Sequence, residues 1–353
     1  MKNILFDCER MKYRDTGLYH YCLNLGKNLL KQVDLREERL SCFYPGQTAL
    51  QPAPFPSIIR QHSLNKFLLP STRRFDIWHC TYQNSDYLPV RNRRIKVVLS
   101  IHDLNFMYDE KKSETKKRKY LKHLQHNIDR SDAIVCISSF SRNDVARYCN
   151  TGNKPVHIIL NGTNELPEPC LNSGSYKPHK PFMFSIGVIT RKKNFHTLLP
   201  LLRDNDMELL IAGRPDDRDY LYFLLDSAEE LGVSDKFRIL GMISEKEKSW
   251  YFRNCYAFAS PSVAEGFCLP VAEAMSAGKP LFLSNKTALP EIGGKVAFYF
   301  SDFNSSNMQH VFLNGMRTYD STNMQDQLRA RAASFSWNKA AAQYLEVYRS
   351  LYP

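Results

Sequence analysis

The sequence of 353 residues lacks several features that mark specialised classes of protein. It has no run of about 18 apolar residues, which excludes a membrane-spanning helix. The N-terminal residues enter a strand pattern directly and lack the long apolar region of a signal peptide. The nine cysteines are scattered and form no Cys-x-x-Cys pair, which disfavours a zinc site or a disulfide framework. We therefore expect a cytoplasmic protein.

Acidic residues are scarce relative to basic ones. Residues 1–170 carry 27 Lys and Arg against 17 Asp and Glu, whereas the remaining residues carry 21 against 19. Because the excess lies in the first half, an anionic partner should approach that half, such as a lipid surface, a phosphorylated acceptor or nucleic acid. The alternative is a basic, solvated surface without a partner. No nucleic-acid-binding module or basic–aromatic motif is recognisable, so we expect no nucleic acid.

Short apolar runs of strand length alternate with helical stretches such as Leu18–Lys31. This alternation predicts an α/β fold with doubly wound parallel sheets, whose ligands bind beyond the carboxyl ends of the strands. The predicted strands of the first half are Ile4–Asp7, Leu40–Tyr44, Asp76–His79, Val97–His102, Ala133–Ile137 and His157–Leu160. Those of the second half are Phe182–Ile186, Glu208–Ala212, Phe237–Leu240, Tyr256–Ser260, Leu281–Ser284 and Ala297–Phe300.

Residues 164–181 contain four prolines together with Ser, Gly and Asn, and they show no periodicity. Such a composition is typical of a linker. The chain is long enough for two α/β domains with cores of their own. We therefore predict domains at 1–170 and 171–336, followed by an amphipathic helix at about 337–353.

The most informative stretch is 262–280, which reads SVAEGFCLPVAEAMSAGKP. Pro270 is suited to the first position of a helix, and Gly278 and Pro280 are typical of its end. Glu265 then lies in the loop before the helix and Glu273 in its first turn. Carboxylates accept hydrogen bonds from sugar hydroxyls, and the N–H groups of a first helical turn bind phosphate. The alternatives are that Glu273 only complements the helix dipole and that Glu265 is a solvated loop residue.

The same stretch resembles the E-x7-E motif of retaining glycosyltransferases of the GT-B fold, and the match is to family 4. The resemblance extends from the first strand to the C-terminal helix and is densest from Gly187 to Gly294. It implies two Rossmann-like domains that face each other across a cleft. The first domain would bind the acceptor, the second would hold a nucleotide sugar, and the last helix would pack back on the first domain.

Three successive cations, Arg191, Lys192 and Lys193, come after Gly187, which follows the predicted strand Phe182–Ile186, and they precede a helix. This pattern predicts a phosphate site, and the alternative is a basic loop. In the family, a lysine at the position of Lys193 binds the diphosphate together with an upstream arginine. Val188 occupies the usual arginine position here, so we assign that role to Arg191.

The resemblance implies further donor contacts in the second domain. Glu273 would bind the ribose, and Glu265 would hold the sugar hydroxyls. The backbone of the loop Leu240–Ile243, which contains Met242, would meet the base, and Gly187 belongs to the phosphate loop. The backbone N–H groups expected beside the sugar and phosphates are those of Gly266, Phe267, Cys268 and Leu269.

Three loops of the first domain follow predicted strands. Gly17 permits close backbone approach to the donor phosphates and the acceptor, although an ordinary turn is the alternative. In the resembling family, a histidine placed like His102 lies near the 6-hydroxyl of the sugar. The alternative is a histidine that satisfies backbone groups. The serines before Asp144 favour helix N-caps over a functional role.

A dense group of cations lies near the stripe formed by Tyr120, Leu121, Leu124 and Ile128. One face of this helix should pack on the domain, while the cationic face could rest on anionic lipid or a lipid-linked acceptor at the inner face of the membrane. A solvated face is the alternative. The cations, which span 111–122, are Lys111, Lys112, Lys116, Lys117, Arg118, Lys119 and Lys122.

We therefore predict that the protein transfers a hexose from a nucleotide diphosphate sugar to a hydroxyl of a glycan or lipid-linked acceptor. The configuration at the anomeric carbon would be retained. Arg191, Lys193 and the helix N-terminus would stabilise the departing diphosphate. General likeness to bacterial mannosyltransferases of surface polysaccharide assembly favours GDP-mannose, with a UDP-sugar as the other donor considered. No metal or cofactor is expected. The alternatives are a catalytically silent scaffold, a GT-B epimerase and a phosphorylase.

Overall fold

The computed structural model describes residues 1–14, 16–45, 55 and 57–352. It divides into two compact units. The first is Met1–Gly162 together with the C-terminal segment that begins at Phe335, and the second is Thr163–Ser334. Each unit contains one sheet in which all paired strands run parallel, with helices between the strands. The fold is therefore α/β with two Rossmann-like domains, as predicted.

The first unit has a seven-stranded sheet of order β3-β2-β1-β4-β5-β6-β7. The strand order reverses beside β1, which places a crevice at the carboxyl ends of β1 and β4. The strands are β1 Lys2–Asp7, β2 Glu38–Pro45, β3 Ile58–Gln61, β4 Ile77–Cys80, β5 Lys96–Ile101, β6 Ala133–Cys136 and β7 Val156–Ile158. The helices are α1 Gly17–Gln32, α2 Glu114–Arg130, α3 Ser139–Tyr148 and, from the end of the chain, α10 Trp337–Ser350.

The second unit has a six-stranded sheet of order β10-β9-β8-β11-β12-β13, which reverses beside β8. Its strands are β8 Phe182–Ile186, β9 Glu208–Ala212, β10 Phe237–Gly241, β11 Ala257–Ser260, β12 Leu281–Ser284 and β13 Phe298–Phe300. Its α-helices are α4 Arg218–Glu230, α5 Glu245–Asn254, α6 Leu269–Ser276, α7 Leu289–Gly293, α8 Ser305–Ser321 and α9 Met324–Ala333. Strands β9, β11 and β12 are buried throughout, which explains why they are apolar apart from the end residues Glu208, Ser260 and Ser284.

Side-chain caps begin several helices. Ser138 accepts a hydrogen bond from the N–H of Ser141 at 3.1 Å, so the predicted N-cap of α3 is confirmed. Ser113 caps α2 in the same way. Ser244 and Glu247 form a reciprocal capping box at the start of α5. Ser138 and Ser244 follow the last residues of β6 and β10 closely, so these two caps place their helix starts beside the carboxyl ends of those strands.

Strand β3 was absent from the prediction. It has four residues and pairs with β2 at the edge of the sheet, with Cys42 opposite Ile58. Ile58 is 37% exposed, so the strand lacks the buried apolar pattern that identifies an internal strand. Prolines at 52, 54 and 56 precede it and obscure the signal further.

The boundary between the units lies earlier than the predicted boundary after residue 170. The second unit begins at Thr163, because the chain from there bonds to its helices. Asn164 Nδ2 donates to Glu273 at 2.8 Å, and Ser249 Oγ donates to the carbonyl of Pro167 at 2.6 Å. The proline-rich segment is thus attached to the second unit, which composition alone could not reveal.

Helix α10 packs on the first unit through a buried hydroxyl network. Tyr344 OH lies 2.7 Å from Tyr21 OH and 2.8 Å from Ser100 Oγ. Tyr348 OH lies 2.6 Å from His79 Nδ1, and His79 Nε2 lies 2.8 Å from Ser100 Oγ. Burial, with a smaller contribution from His102, lowers the pKa of His79 to about 3. The imidazole is therefore neutral and serves as a hydrogen-bonding member of the core.

Candidate functional site

Three glycines follow or end adjacent strands of the second unit. Gly187, Gly213 and Gly241 have φ angles of 153°, 143° and 68°, which favour glycine. The N–H of Gly213 donates to the carbonyl of Gly241 at 2.7 Å. A Cβ on Gly213 would lie 2.0 Å from the carbonyl oxygen of Gly187. A Cβ on Gly187 would lie 2.7 Å from Lys193 Cε, so the missing side chains leave room for Lys193 at the carboxyl edge of the sheet.

Lys193 forms an ion pair with Glu265. Its Nζ lies 2.6 Å from Glu265 Oε1, and each side chain is 12% exposed. Burial opposes the charge on Lys193, yet the Glu265 carboxylate outweighs burial and raises the pKa of the lysine. Burial likewise opposes the charge on Glu265, but Lys193 and Lys192 together hold the pKa of its carboxyl below the ordinary value. Both groups are therefore charged at neutral pH.

The loop that carries Glu265 is fixed at both ends. The N–H of Glu265 donates to Thr287 Oγ1 at 2.9 Å, and the N–H of Val263 donates to the carbonyl of Lys192 at 2.9 Å. Cys268 then adopts a left-handed conformation with φ 70°, and α6 begins at Leu269 without a side-chain cap. In the first turn of α6, Pro270 has no N–H and the N–H of Val271 donates to the carbonyl of Cys268 at 3.0 Å. The N–H of Leu269 has no acceptor among the described residues, so it is the donor that this turn offers. Gly266, Phe267, Cys268 and Leu269, all assigned to the donor, are buried in this loop and helix start.

The thiol of Cys268 is not a nucleophile in this setting. Burial, together with the charge of Glu265, raises the pKa of the Cys268 thiol to about 12. Its sulfur lies 3.8 Å from Ser260 Oγ. The residue therefore shapes the loop as a neutral group.

Glu273 lies beyond the first turn of α6, which corrects the prediction. The helix begins at Leu269, one residue before Pro270, and its first turn contains no acidic residue. Glu273 is 2% exposed, and its Oε1 accepts hydrogen bonds from Lys248 Nζ at 2.9 Å and Asn164 Nδ2 at 2.8 Å. This arrangement disfavours the interpretation that Glu273 only complements the helix dipole.

Lys248 was missed by the sequence analysis. It lies on α5 and is buried beside Glu273, and it also pairs with Glu245 at 2.7 Å. Burial opposes its charge, but Glu273 and Glu245 outweigh burial and raise the pKa of Lys248. The sequence signal was present: Lys248 precedes the buried Tyr251 and Phe252 by three and four residues, on the same helical face.

Arg191 does not join the Lys193–Glu265 pair. Its guanidinium lies 4.9 Å from the ring centroid of Phe223 and 5.6 Å from that of Tyr220, both on α4. Such cation–π contacts hold the charge over the aromatic face. Met242, the first residue after β10, is 59% exposed. Gly187, Lys193 and Glu265 are thus brought together, whereas Arg191 points to a neighbouring helix.

His102 and Gly17 belong to the first unit. His102 Nε2 lies 2.8 Å from the carbonyl oxygen of Thr81, so Nε2 carries the proton and Nδ1 is an acceptor. Burial outweighs that hydrogen bond and lowers the pKa of His102 to about 4, which keeps the ring neutral. Gly17 is the exposed first residue of α1. Asp15, in the same predicted loop, lies outside the described residues.

A charged cluster after β1 was also missed. Glu9 is 5% exposed and pairs with Lys12 and, at 3.0 Å, with Arg10. The Arg10 guanidinium lies 3.6 Å from the ring centroid of Tyr82. Burial, with the charge of Glu9, raises the pKa of Asp7 to about 7. The signal was the charged residues Asp7, Glu9 and Arg10, which end the first strand or follow it directly.

The predicted basic helix corresponds to α2 and the loop before it. Leu124 and Ile128 are fully buried, and Tyr120 and Leu121 are partly buried, so the predicted apolar stripe faces the unit. Within the described ranges, no helix is long and apolar enough to cross a membrane. The same part of the chain contains no group of three or more His, Cys, Asp or Glu side chains arranged to hold a metal ion.

Comparison with protein families gives two matches, one in each half of the chain. The family model for Glycosyltransferase Family 4 matches residues 24–165, and the model for Glycosyl transferases group 1 matches residues 172–297. The chain belongs to glycosyltransferase family 4. It is therefore an enzyme of the transferase class that moves glycosyl groups.

Relatives of this family 4 enzyme include bacterial mannosyltransferases. The O-antigen chain mannosyltransferase B of Escherichia coli is 26% identical over 99% of this chain and 100% of its own length. The MMP alpha-(1->4)-mannosyltransferase of Mycolicibacterium hassiacum is 29% identical over 61% of this chain and 53% of its own.

Solved structures confirm the GT-B fold of this glycosyltransferase. Sucrose-phosphate synthase from Thermosynechococcus elongatus superposes with a TM-score of 0.77 at 17% identity, over 99% of both chains. Anabaena HepE, in complex with UDP and glucose, also gives 0.77, at 16% identity over 99% of this chain and 100% of its own.

Proposed function

We propose that this glycosyltransferase moves a hexose from a nucleotide diphosphate sugar to a hydroxyl of a glycan or lipid-linked acceptor in polysaccharide assembly, with retention and without a metal ion. The observation that carries the proposal is the buried Lys193–Glu265 ion pair beside the uncapped first turn of α6. These groups combine positive charge for a diphosphate with a carboxylate for sugar hydroxyls.

Lys193 would stabilise the departing diphosphate. An ammonium has three N–H donors, and Glu265 accepts one of them, which leaves two for phosphate oxygens. The backbone N–H of Leu269 at the start of α6 would add a donor that requires little reorganisation. A divalent ion would then be unnecessary for charge compensation. Arg191 would contribute only after its guanidinium leaves the ring of Phe223.

Glu265 would orient the transferred sugar. Its carboxylate stays ionised because Lys193 and Lys192 lower its pKa, so it remains an acceptor for hydroxyl groups. Glu265 Oε1 is engaged by Lys193, and a carboxylate has further lone pairs that a sugar can use.

Glu273 would bind the ribose. Both hydrogen bonds that it accepts, from Lys248 and Asn164, reach Oε1. Oε2 has no donor among the residues that the structure describes, so it would accept the ribose hydroxyls. Lys248 would hold the orientation of this carboxylate through its hydrogen bond to Oε1.

The mannosyltransferase names of several relatives support mannose as the sugar and GDP-mannose as the donor. A UDP-sugar is the competing donor, because HepE was crystallised with UDP and glucose. HepE is only 16% identical, so its likeness supports the fold and not the choice of donor. The names of the sequence relatives therefore decide in favour of mannose.

A donor screen tests the proposal. The melting temperature of the purified protein is measured with each of several nucleotide sugars. The protein and the nucleotide sugar that stabilises it most are then incubated with candidate acceptors. We expect GDP-mannose to raise the melting temperature and E273A to abolish this shift, because binding to the folded state alone stabilises it. The matched control is E291A, which removes an acidic side chain from helix α7.

Product analysis tests the mechanism. NMR of the product should show the anomeric configuration of the donor, and EDTA should leave the rate unchanged. Inversion of that configuration, loss of activity in EDTA, or full donor binding by E273A would each contradict a part of the proposal.

A further inference from the structure

A short segment of the first unit exposes three large apolar side chains side by side. Leu64 is 73% exposed, Phe67 82% and Leu68 66%. The segment is a defined turn, since the N–H of His62 donates to Asn65 Oδ1 at 2.7 Å and Asn65 Nδ2 donates to the carbonyl of Leu68 at 3.0 Å. These apolar groups are therefore held outward by the fold.

Cationic loops flank this turn. Asn92 Nδ2 donates to Thr72 Oγ1 at 3.0 Å and joins the loops 71–74 and 91–94. Val90, next to Arg91, lines the same groove as Phe67. The exposed arginines of the two loops are Arg73, Arg74, Arg91, Arg93 and Arg94. Together with Leu64, Phe67 and Leu68 they form what we call the interfacial patch.

Helix α2 borders the same groove. His123 and His126 line it together with Lys66 and Phe67. Asp86, the acidic residue among the described lining residues, pairs with Lys66 at 3.3 Å and lies 3.7 Å from His123. Its charge is thus compensated locally, and the exposed cations Lys119 and Lys122 continue the positive surface along α2.

We propose that the interfacial patch docks the protein on an anionic lipid bilayer, with Leu64, Phe67 and Leu68 entering the headgroup boundary and the arginines contacting lipid phosphates. Apolar insertion combined with basic residues is the arrangement that binds reversibly to a membrane surface. Nucleic acid fits less well, because the aliphatic side chains of Leu64 and Leu68 provide no stacking surface for bases. Docking goes beyond glycosyl transfer and does not depend on the donor.

Vesicle co-sedimentation tests the proposal on the full chain. The vesicles are phosphatidylcholine alone or phosphatidylcholine with phosphatidylglycerol. We expect the protein to sediment with the anionic vesicles, to be released by high salt, and to stay in solution with phosphatidylcholine. The triple variant L64S/F67S/L68S and the double variant R73Q/R74Q should each weaken binding about tenfold.

Matched controls remove similar groups from the second unit. Y222S/L225S replaces two exposed apolar residues of α4, and R218Q/R317Q removes two exposed arginines. Both controls should bind anionic vesicles like the unmodified protein. All replaced residues are exposed, so unfolding midpoints should stay unchanged and a folding defect would be visible as a shift.

Several outcomes would overturn the proposal. These are failure of the unmodified protein to bind anionic vesicles, equal binding by the patch and control variants, and equal binding to neutral vesicles. Binding to duplex DNA without binding to vesicles would assign the surface to nucleic acid instead. A protein that docks normally but binds no nucleotide sugar would contradict the proposed donor and leave the docking intact.

Discussion

At the residue scale, the candidate site of the second unit contains two buried lysine–glutamate pairs. Lys193 pairs with Glu265, and Lys248 pairs with Glu273. A buried charge lowers the stability of the fold unless its partner is present, so removing either member of a pair should be destabilising. Both glutamates belong to the stretch that carries the family resemblance, whereas the lysines come from elements far away in the sequence.

Replacing Lys193 with Met should destabilise the second unit by about 3–5 kcal/mol, because Glu265 would be left buried without its counter-charge. Equilibrium unfolding in urea at neutral pH measures the loss. The control K180M breaks the exposed Lys180–Asp206 pair and should leave the unfolding midpoint unchanged. A K193M protein as stable as the unmodified one would show that the pair contributes nothing to folding.

At the element scale, the carboxyl edge of β8 and β9 depends on close backbone approach. Gly213 lies against Gly187, and Gly187 lies against Lys193. The strands therefore set the position of the lysine through glycines that leave space for it. This dependence links the local conformation of two strand ends to the geometry of the candidate donor site.

Replacing Gly213 with Ala should destabilise the protein by about 3 kcal/mol or more, because the new Cβ would clash with the backbone of Gly187 at an unfavourable φ. It should also weaken nucleotide-sugar binding, since Gly187 and Lys193 must shift. G152A is the matched control: its φ is also positive, but nothing lies within 4 Å of the added Cβ. The control should cost about 1 kcal/mol and leave binding intact. Equal costs for the two variants would refute the role of close approach.

At the scale of the whole molecule, the chain leaves its first unit after Gly162 and returns at Phe335. The returning helix α10 completes the core of the first unit through Tyr344 and Tyr348, which meet Ser100 and His79. Stability of the first unit therefore includes the final residues of the chain, and its buried titrating groups make that stability depend on pH.

His79 and His102 bind protons in the unfolded chain below pH 6.5, but in the folded chain only near their lowered pKa values of about 3 and 4. Stability should therefore rise with pH between about 4 and 6.5. Asp7 acts in the opposite direction, because its pKa is raised from 3.8 to about 7, so the folded state holds its proton in this window.

D7N should therefore steepen the rise of stability between pH 4 and 6.5, by about 1.4 kcal/mol per pH unit. Urea unfolding at each pH measures it, and a W250F background leaves Trp78 and Trp337 as tryptophans, both in the first unit. The comparison protein is W250F with Asp7 intact. Parallel pH curves for the two proteins would mean that Asp7 titrates normally in the folded state.

The sequence by itself determined most of the strand pattern, the N-cap of α3 and the family. A buried strand such as Glu208–Ala212 is recognisable from its run of apolar residues after Glu208. Ser138 caps its helix by accepting a hydrogen bond from the N–H of Ser141, three residues later. These features depend on near neighbours in the chain, so periodicity and residue type are enough to predict them. The edge strand Ile58–Gln61 was not predicted, because it is short and half exposed.

Only the tertiary structure decided which partners the charged side chains take. Lys248 reaches Glu273 across 25 residues, the segment from Asn164 bonds to the same carboxylate, and Arg191 turns to Phe223. Side-chain length and charge allow many such pairings in an unfolded chain. Packing of helices on the sheet selects one of them, because only that arrangement compensates each buried charge.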